Sequence, residues 1–435
     1  MRRYVIIGSG AAGISAVEAL REQDPTSKVT LITGDRFGYY SRPGLAYLLA
    51  NEVDEGQLYP YQPEMIKSLG VEWITAHVER IEPLAHKLHL KDGRTVDYDR
   101  LLLATGATAI IPDLPGIHLE GVVKLDNFED IHRILRRAQR GKEAVVVGGG
   151  ITALELVEGL AARKMRVHYL LRGDRYWSSI LDEHESHMVQ EKLKEDGVML
   201  HTKVEVSEVY GRHNAVEGVL TQDGQKIKGR MAAFAVGIRP RLELARSSEI
   251  NVKRGIQVDE YLQTNQPDIF AAGDGAELID PETGKGMLES LWYPARLQGR
   301  VAGGNMAGGN QAYQRISPYN VTRLAGIITT IIGQVGQEKK ELDRDTNGIM
   351  RGDSEVWRQV TEAMVAQNST GNNRLRLYVA EKTLRGALVM GDQTLSRPLQ
   401  HLIENEVDIS SIRPALLAPD ADLTKIIQLF QKVVV

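Results

Sequence analysis

Short apolar runs alternate with amphipathic stretches in two separate parts of the chain. The run RYVIIG at residues 3–8 precedes ISAVEALRE, whose apolar residues recur at helical spacing, and a second run, KVTLIT, follows. The same order returns at residues 143–171, in EAVVVG, ITALELVEGLAA and RVHYLL. Buried parallel strands form near-continuous apolar runs, and helices connect them. The pattern predicts an α/β fold with two Rossmann-like, three-layer units, each built on a parallel central sheet.

Glycines stand where the first strand turns into its helix. Gly8, Gly10 and Gly13 have the GxGxxG spacing of a dinucleotide-binding turn, with Ala11 and Ala12 inside it. In such a turn the first glycine allows the tight bend, and the second lets the backbone approach a pyrophosphate. The third lets helix and strand pack closely, and the helix N-terminus faces the phosphates. We therefore predict that these five residues bind a dinucleotide.

The end of the second strand is less clear. An acidic residue usually stands there and accepts a hydrogen bond from the adenosine ribose. Here Thr33 and Gly34 occupy that point, and Asp35 follows. Two interpretations of Asp35 stay open: it binds the ribose, or it is a turn residue.

A second glycine-rich turn repeats the first. Gly148 and Gly150 hold the first two glycine positions, Ile151 opens the helix, and Ala153 takes the third position. Two complete units predict two bound dinucleotides, and this suggests hydride transfer between a nicotinamide and a flavin. The alternative is a duplicated turn that has lost its ligand.

Length and charge narrow the function classes. At 435 residues the chain exceeds what one core usually supports, so two or three domains are expected. The net charge of −4 gives no general attraction for nucleic acid, and no apolar run approaches a membrane span. The first strand begins almost at residue 1, which predicts no signal peptide and a cytoplasmic location. The most apolar stretch, LAGIITTIIG at residues 324–333, is interpreted as one buried strand.

The sequence contains no cysteine. This excludes disulfides, thiolate zinc sites, cysteine-ligated iron–sulfur clusters and a redox-active cysteine pair. No other cluster of metal ligands is predicted. His184 and His187, flanked by Glu183 and Glu185, indicate a charged helix surface.

Two further stretches complete a family pattern. YDRLLLATGA places Thr105 and Gly106 after an apolar strand, and QTNQPDIFAAGD places Gly273 and Asp274 after another. Together with both glycine turns, these stretches resemble the two-dinucleotide flavoprotein superfamily that includes the pyridine nucleotide-disulfide oxidoreductases. The resemblance implies that Asp274 binds the ribityl chain of FAD, with a helix N-cap as the alternative. It further implies that Thr105 and Gly106 turn the chain past FAD and that Val78 contacts the adenine.

The same resemblance implies three domains. An FAD-binding domain would be formed by residues 1–107 and 236–310, with an NAD(P)-binding domain at 108–235. Residues 311–435 would form an α+β interface domain, which in some relatives builds a homodimer and in others belongs to a monomer.

The stretch FGYYSRPGLAYLL at residues 37–49 resembles the cysteine-free branch, similar to rubredoxin and ferredoxin reductases and the flavin part of NAD(P)H nitrite reductases. There, Arg42 and Pro43 would lie near FAD, with a surface salt bridge as the alternative for Arg42. Many members pair a lysine with a glutamate beside the flavin. Tyr47 stands in the place of the lysine and Glu155 in that of the glutamate, so a buried Glu155 would have a raised pKa.

Residues 287–309 resemble the segment that passes the flavin ring. Trp292 is the candidate aromatic residue lining the flavin, and core packing is the alternative. Gln298 and Gly299 are expected to open a helix whose N-terminus points at the ring.

The coenzyme choice depends on the end of RVHYLL. Leu171 stands where an NAD enzyme often has an acid, and Arg172 and Arg175 follow. Arginines pair well with a 2′-phosphate, which favours NADPH over NADH. The alternative is that both arginines are solvated and NADH binds.

These features predict an FAD-dependent NAD(P)H oxidoreductase without a redox cysteine. Hydride would pass from NAD(P)H to FAD, and electrons would then pass to a separate acceptor, a small redox protein of the rubredoxin or ferredoxin type. The alternatives are a quinone or oxygen reductase, and a flavoprotein scaffold or redox sensor with little turnover.

Overall fold

The computed structural model describes residues 1–61, 63–336, 349–359 and 362–434. The chain divides into two compact units. The first comprises Met1–Ile110, Leu125–His132 and Gly237–Arg315, and the second comprises Ile111–Lys124, Arg133–Val236 and Ile316–Val435.

The strands are, in chain order, β1 (Arg3–Ile7), β2 (Lys28–Thr33), β3 (Glu72–Thr75), β4 (Val78–Glu82), β5 (Lys87–Leu90), β6 (Thr95–Asp97), β7 (Arg100–Leu103), β8 (Ala107–Ala109), β9 (Val122–Val123), β10 (Glu143–Val147), β11 (Arg166–Leu171), β12 (Met199–Thr202), β13 (Val206–Arg212), β14 (Ala215–Thr221), β15 (Lys226–Lys228), β16 (Met231–Phe234), β17 (Ile238–Pro240), β18 (Ile256–Val258), β19 (Ile269–Ala271), β20 (Ala276–Ile279), β21 (Gly286–Met287), β22 (Tyr319–Leu324), β23 (Ile327–Gly333), β24 (Met364–Thr370), β25 (Asn373–Val379) and β26 (Leu384–Met390).

The helices are α1 (Ala11–Gln23), α2 (Gly44–Leu49), α3 (Pro63–Ser68), α4 (Phe128–Arg137), α5 (Ile151–Ala162), α6 (Glu183–Glu195), α7 (Glu243–Arg246), α8 (Trp292–Met306), α9 (Ser396–Glu404), α10 (Arg413–Leu416) and α11 (Leu423–Val434). Short 3₁₀ turns lie at Glu55–Leu58 and Glu355–Arg358.

The first unit is built on a parallel sheet with strand order β19-β7-β1-β2-β3. The strand β1 is central, and four of its five residues are buried, as a strand covered on both faces requires. Smaller sheets, among them the antiparallel β4-β5-β6, complete the unit. The predicted strand–turn–helix order around the first glycine turn is confirmed.

Helix α1 packs closely on α8 because small residues line the contact. A methyl group placed on Gly299 would collide with the backbone of Ala12, and one on Gly303 would crowd the backbone of Ala16. Two backbones approach this closely only where side chains are absent. This contact fixes α1, and with it the first glycine turn.

The second unit repeats the architecture with a parallel sheet ordered β12-β11-β10-β16-β9. Helix α5 follows β10 just as α1 follows β1. The sheet β13-β14-β15 is antiparallel. The predicted α/β fold with two parallel sheets is therefore confirmed.

The C-terminal part of the second unit is an antiparallel sheet ordered β22-β23-β26-β25-β24, with residues of α9 and α11 in its core. The interpretation of residues 324–333 as one strand is wrong. Leu324 ends β22 and pairs with Ile327, which opens β23, and Ala325 and Gly326 form the two-residue turn with φ of +48° and +79°. A hairpin turn of this kind needs positive φ at both central residues.

Candidate functional site

The first glycine turn shows which glycines the protein itself requires. Gly8 has φ of +114°, and a methyl group there would collide with the carbonyl oxygen of Ala104. A methyl group on Gly13 would collide with the carbonyl oxygen of Gly8. These two glycines are thus explained by backbone conformation and close packing.

Gly10 is different, because no protein atom lies within 4 Å of a methyl group placed on it. It is the N-cap residue of α1, and no side chain caps this helix, whereas Asp182 caps α6 by accepting a hydrogen bond from the N–H of Glu185. The N–H groups of a helix's first turn, here beginning at Ala11 and Ala12, lack intrahelical partners and attract anions. Open space beside Gly10 and an uncapped helix N-terminus fit a pyrophosphate.

Asp35 already has two hydrogen-bond donors in the structure. The N–H of Phe37 donates to one carboxylate oxygen (2.9 Å) and the Tyr40 hydroxyl donates to the other (3.0 Å). Nearby, the Ser9 hydroxyl donates to the Thr33 hydroxyl (3.1 Å). These bonds shape a turn at the end of β2; a role for Asp35 in ribose binding stays a prediction.

Arg42 faces a buried carboxylate, Asp126, that no sequence motif marks. Its Nη1 lies 3.7 Å from Oδ1 of Asp126, whose side chain is fully buried. Burial lowers the pKa of Arg42, but the Tyr40 hydroxyl and the Asp126 carboxylate outweigh burial and hold that pKa above its usual value. The Arg42 side chain is one-third exposed, but its partner carboxylate is fully buried, so the pair differs from an ordinary surface salt bridge.

Arg241 connects Asp126 to the turn that contains Thr105 and Gly106. Nη2 of Arg241 lies 3.5 Å from the Asp126 carboxylate. Nη1 of Arg241 donates to the Thr105 carbonyl (2.9 Å), and the backbone N–H of Arg241 donates to the Gly106 carbonyl (3.0 Å). Arg241 directly follows the IRP segment of β17, and this segment is the sequence feature that could have pointed to Arg241. No local pattern marks Asp126, because its partners are distant in the chain.

Gly273 and Asp274 lie in the turn between β19 and β20, so the helix N-cap alternative for Asp274 is wrong. The Ser290 hydroxyl donates to Asp274 Oδ2 (3.1 Å), and the Gly273 N–H donates to the side-chain oxygen of Gln298 (2.8 Å). The expectation that Gln298 opens a helix is also wrong, since α8 begins at Trp292. Gln298 instead holds the Gly273 turn from inside the helix.

The remaining first-unit candidates have exposed surface. Trp292, the first residue of α8, is 45% exposed, and the Arg296 guanidinium lies 5.0 Å from its ring centroid. Core packing therefore does not explain Trp292. Tyr47 on α2 is 40% exposed, Pro43 is the exposed N-cap of that helix, and Val78 opens β4 half-buried.

In the second unit the glycine turn has the same shape. Gly148 has φ of +147°, and a methyl group on it would collide with the carbonyl oxygen of Ala235. A methyl group on Gly8 would meet the carbonyl oxygen of Ala104 in the same way. Gly150 is the N-cap of α5 without a side-chain cap, and Ile151 is the first, buried, helical residue. A methyl group on Gly150, however, would collide with the sulfur of Met350.

Glu155 lies on α5, half-buried. Burial raises the pKa of Glu155 to about 8, the neighbouring Glu158 adds to the increase, and Arg351 opposes it. The carboxyl group is therefore mostly protonated at neutral pH. Arg351 and Arg323, both in the same unit as Glu155, lower its pKa, and no sequence motif links them to Glu155.

The arginines after β11 each face a carboxylate. Arg172 Nε lies 3.9 Å from Glu205 and Arg175 Nη1 lies 3.3 Å from Asp174, while Leu171 is buried. Arg172 remains about half exposed, so its guanidinium is accessible to a ligand.

Glu185 corrects the expectation of a charged surface around His184 and His187. It is fully buried and faces two arginines of β25, with Arg376 Nη2 at 3.1 Å and Arg374 Nε at 3.4 Å. Helix α6 thus presents one charged face to solvent and one buried carboxylate to the C-terminal sheet.

Within the described ranges, no group of three or more His, Asp or Glu side chains is placed to hold a metal ion. None of the helices in the described part of the chain combines the length and apolar character that a membrane span requires.

Two parallel sheets match the fold of proteins that bind two dinucleotides, since in each sheet a glycine turn and an uncapped helix N-terminus follow the central strand. The family model described as pyridine nucleotide-disulphide oxidoreductase matches residues 2–358, and the chain belongs to this family. It is an FAD-dependent pyridine nucleotide oxidoreductase.

Relatives agree with this assignment. The NADH oxidase of Methanocaldococcus jannaschii is 32% identical over 316 residues, which cover 70% of this chain and 70% of that protein. The CoA-dependent NAD(P)H sulfur oxidoreductase of Pyrococcus abyssi is 30% identical over 347 residues, covering 78% and 76%. The fold, though not the activity, is also shared with a solved ferredoxin reductase from Rhodopseudomonas palustris, which has a TM-score of 0.84 at 20% identity and covers 98% of this chain and 99% of its own.

Proposed function

We propose that the protein oxidises NAD(P)H with bound FAD and delivers the electrons to a separate small redox protein of the rubredoxin or ferredoxin type. The observation that carries the proposal is the pair of glycine turns in a chain without cysteine. Members that reduce disulfides need a thiol to relay electrons. Here no thiol exists, so electrons must leave for another molecule.

The first unit would hold FAD. Gly8, Gly10, Ala11, Ala12 and Gly13 would receive the pyrophosphate at the N-terminus of α1, where the open space at Gly10 gives the backbone access. FAD supplies the redox chemistry that accepts a hydride and releases electrons singly or in pairs.

Other residues of the first unit would orient FAD and balance its charge. Arg42 provides a permanent positive charge, because an arginine side chain stays protonated at every physiological pH. Asp274 would accept from the ribityl hydroxyls, and Thr105 and Gly106 are held in place by Arg241. The exposed ring of Trp292 offers an aromatic surface to a ligand.

In the second unit, Gly148, Gly150 and Ile151 would receive the pyrophosphate of NAD(P)H. Glu155 holds a proton on its carboxyl group at neutral pH and so adds no full negative charge where the nicotinamide would bind.

The coenzyme we propose is NADPH rather than NADH. Leu171 removes the acid that would repel a 2′-phosphate, and the exposed Arg172 is available to pair with it. The proposed FAD domain comprises residues 1–107 and 236–310. The proposed NAD(P) domain comprises residues 108–235, and the proposed interface domain comprises residues 311–435.

Oxygen is the second candidate acceptor, since the relative at 32% identity is named an NADH oxidase. The two candidates are separated by what reoxidises the reduced protein.

The test is anaerobic stopped-flow mixing of the FAD-loaded protein with NADPH and, separately, NADH, followed through the visible absorption of oxidised flavin. We expect rapid bleaching, faster with NADPH. Reoxidation is then measured with ferredoxin, rubredoxin and dissolved oxygen in separate shots. Bleaching with neither coenzyme would contradict the proposed activity, and rapid reoxidation by oxygen alone would replace the redox protein as acceptor.

A further inference from the structure

The two glycine turns correspond position by position, and they differ at one point. Gly10 and Gly150 are both the second glycine of the turn and both the N-cap of the following helix. A methyl group on Gly10 meets no protein atom within 4 Å. On Gly150 it would collide with the sulfur of Met350 and would lie 3.5 Å from Cγ and from Cε of the same side chain. The second turn is covered where the first is open.

The residues beside Met350 lie along the same helix end. Ile349 is 5% exposed, so the chain is anchored just before Met350. A methyl group on Gly352 would lie 3.7 Å from Cδ1 of Ile151, in ordinary contact with the first residue of α5. The segment 349–352 therefore follows the first turn of α5, and Met350 places its thioether over Gly150.

The second glycine of such a turn is the point where a pyrophosphate approaches the backbone most closely. A thioether has no charge and is at most a weak acceptor, so it covers the N-terminus of α5 without matching the interaction of an anion there. Methionine is also unbranched and flexible, and it can change rotamer at low cost.

We propose that Met350 sets the affinity of this protein for its dinucleotide substrate: its side chain occupies the space that the pyrophosphate of NAD(P)H takes at Gly150 and is displaced on binding. The inference rests on the proposed function, which assigns NAD(P)H to this turn. When a ligand binds only after the side chain has moved, its apparent Kd equals the intrinsic Kd divided by the fraction of molecules in which the space is free. Met350 thus raises Kd and KM while leaving kcat unchanged.

The experiment measures binding of ADP-ribose and, separately, of its 2′-phosphate to the FAD-loaded protein by isothermal titration calorimetry; both carry the pyrophosphate but no nicotinamide. Met350→Ala is expected to bind roughly 5- to 20-fold more tightly than the unchanged protein. Met350→Leu, similar in size, is expected to stay near the unchanged value. The matched control is Met364→Ala, on the exposed strand β24, where the side chain is 56% exposed and Kd is expected not to change.

Equal affinities of Met350→Ala and the unchanged protein would overturn the inference and leave the proposed function intact. If neither the unchanged protein nor any variant binds ADP-ribose or its 2′-phosphate, the inference and the proposed function both fail, because the second turn then holds no dinucleotide. Tighter binding by Met364→Ala to the same extent would overturn the inference as well, since the effect would not depend on Gly150.

Discussion

The substitution Gly10→Ala separates what the glycine turn does for folding from what it does for FAD. Gly10 has φ of −78° and ψ of −172°, which alanine adopts without strain. A methyl group there meets no protein atom within 4 Å. We therefore expect the stability of the FAD-free protein to change by no more than about 0.5 kcal/mol. That corresponds to a shift in Tm of about 2 °C or less.

The matched control is Gly8→Ala, two residues away in the same turn. Positive φ costs a residue with a side chain about 1–3 kcal/mol, and a collision with packed backbone costs about 1–3 kcal/mol more. With φ of +114° and the Ala104 carbonyl in the way, Gly8→Ala carries both costs. Together they predict a loss of roughly 2–6 kcal/mol and a Tm lower by roughly 4–24 °C.

For binding of FAD, as opposed to folding, Gly10→Ala is the informative substitution. If the open space at Gly10 receives the pyrophosphate, a methyl group costs about 1–3 kcal/mol of overpacking in the complex, a Kd roughly 5- to 150-fold higher. The assays are thermal unfolding of the FAD-free protein by circular dichroism and titration of flavin fluorescence. The reasoning is refuted if Gly10→Ala unfolds as early as Gly8→Ala, or if it binds FAD as tightly as the unchanged protein.

Three further predictions follow from the second unit. The Glu155 pKa is about 8 in the folded protein and 4.5 in its ordinary state, so between these pH values the folded state retains a proton that the unfolded chain has lost. Tm should therefore fall as pH rises from 4.5 to about 8, and it should fall less in Glu155→Gln. Glu185→Ala removes a buried carboxylate that faces two arginines, and should cost about 3–5 kcal/mol in urea unfolding, whereas Lys192→Ala, which breaks an exposed pair, should cost less than about 1 kcal/mol. Arg172→Ala should raise KM roughly 10-fold for NADPH and leave KM for NADH unchanged in steady-state assays; an equal rise for both would contradict a role at the 2′-phosphate.

Much of the fold was predictable because it rests on local pattern. The strands β1, β2, β10 and β11 are apolar runs that only a sheet covered on both faces can bury, and the glycines between strand and helix follow from the bend they must make. The errors arose where local pattern is ambiguous. The apolar run at residues 324–333 contains a two-residue turn at Ala325 and Gly326. Helix α8 was expected to begin at Gln298 and Gly299, but it begins six residues earlier, at Trp292.

By itself the sequence determined the class of chemistry. Two glycine turns at fixed spacing imply two dinucleotides, and the absence of cysteine removes every thiol-based route for electrons. Tertiary structure alone decided which distant residues meet: Asp126 with Arg42, Glu185 with Arg376, and Met350 with Gly150. The physical reason is that local periodicity reports only whether a residue faces the core. Which partner satisfies a buried charge, or covers an open helix end, depends on how separate elements pack, and residues 150 and 350 carry no local mark of their contact.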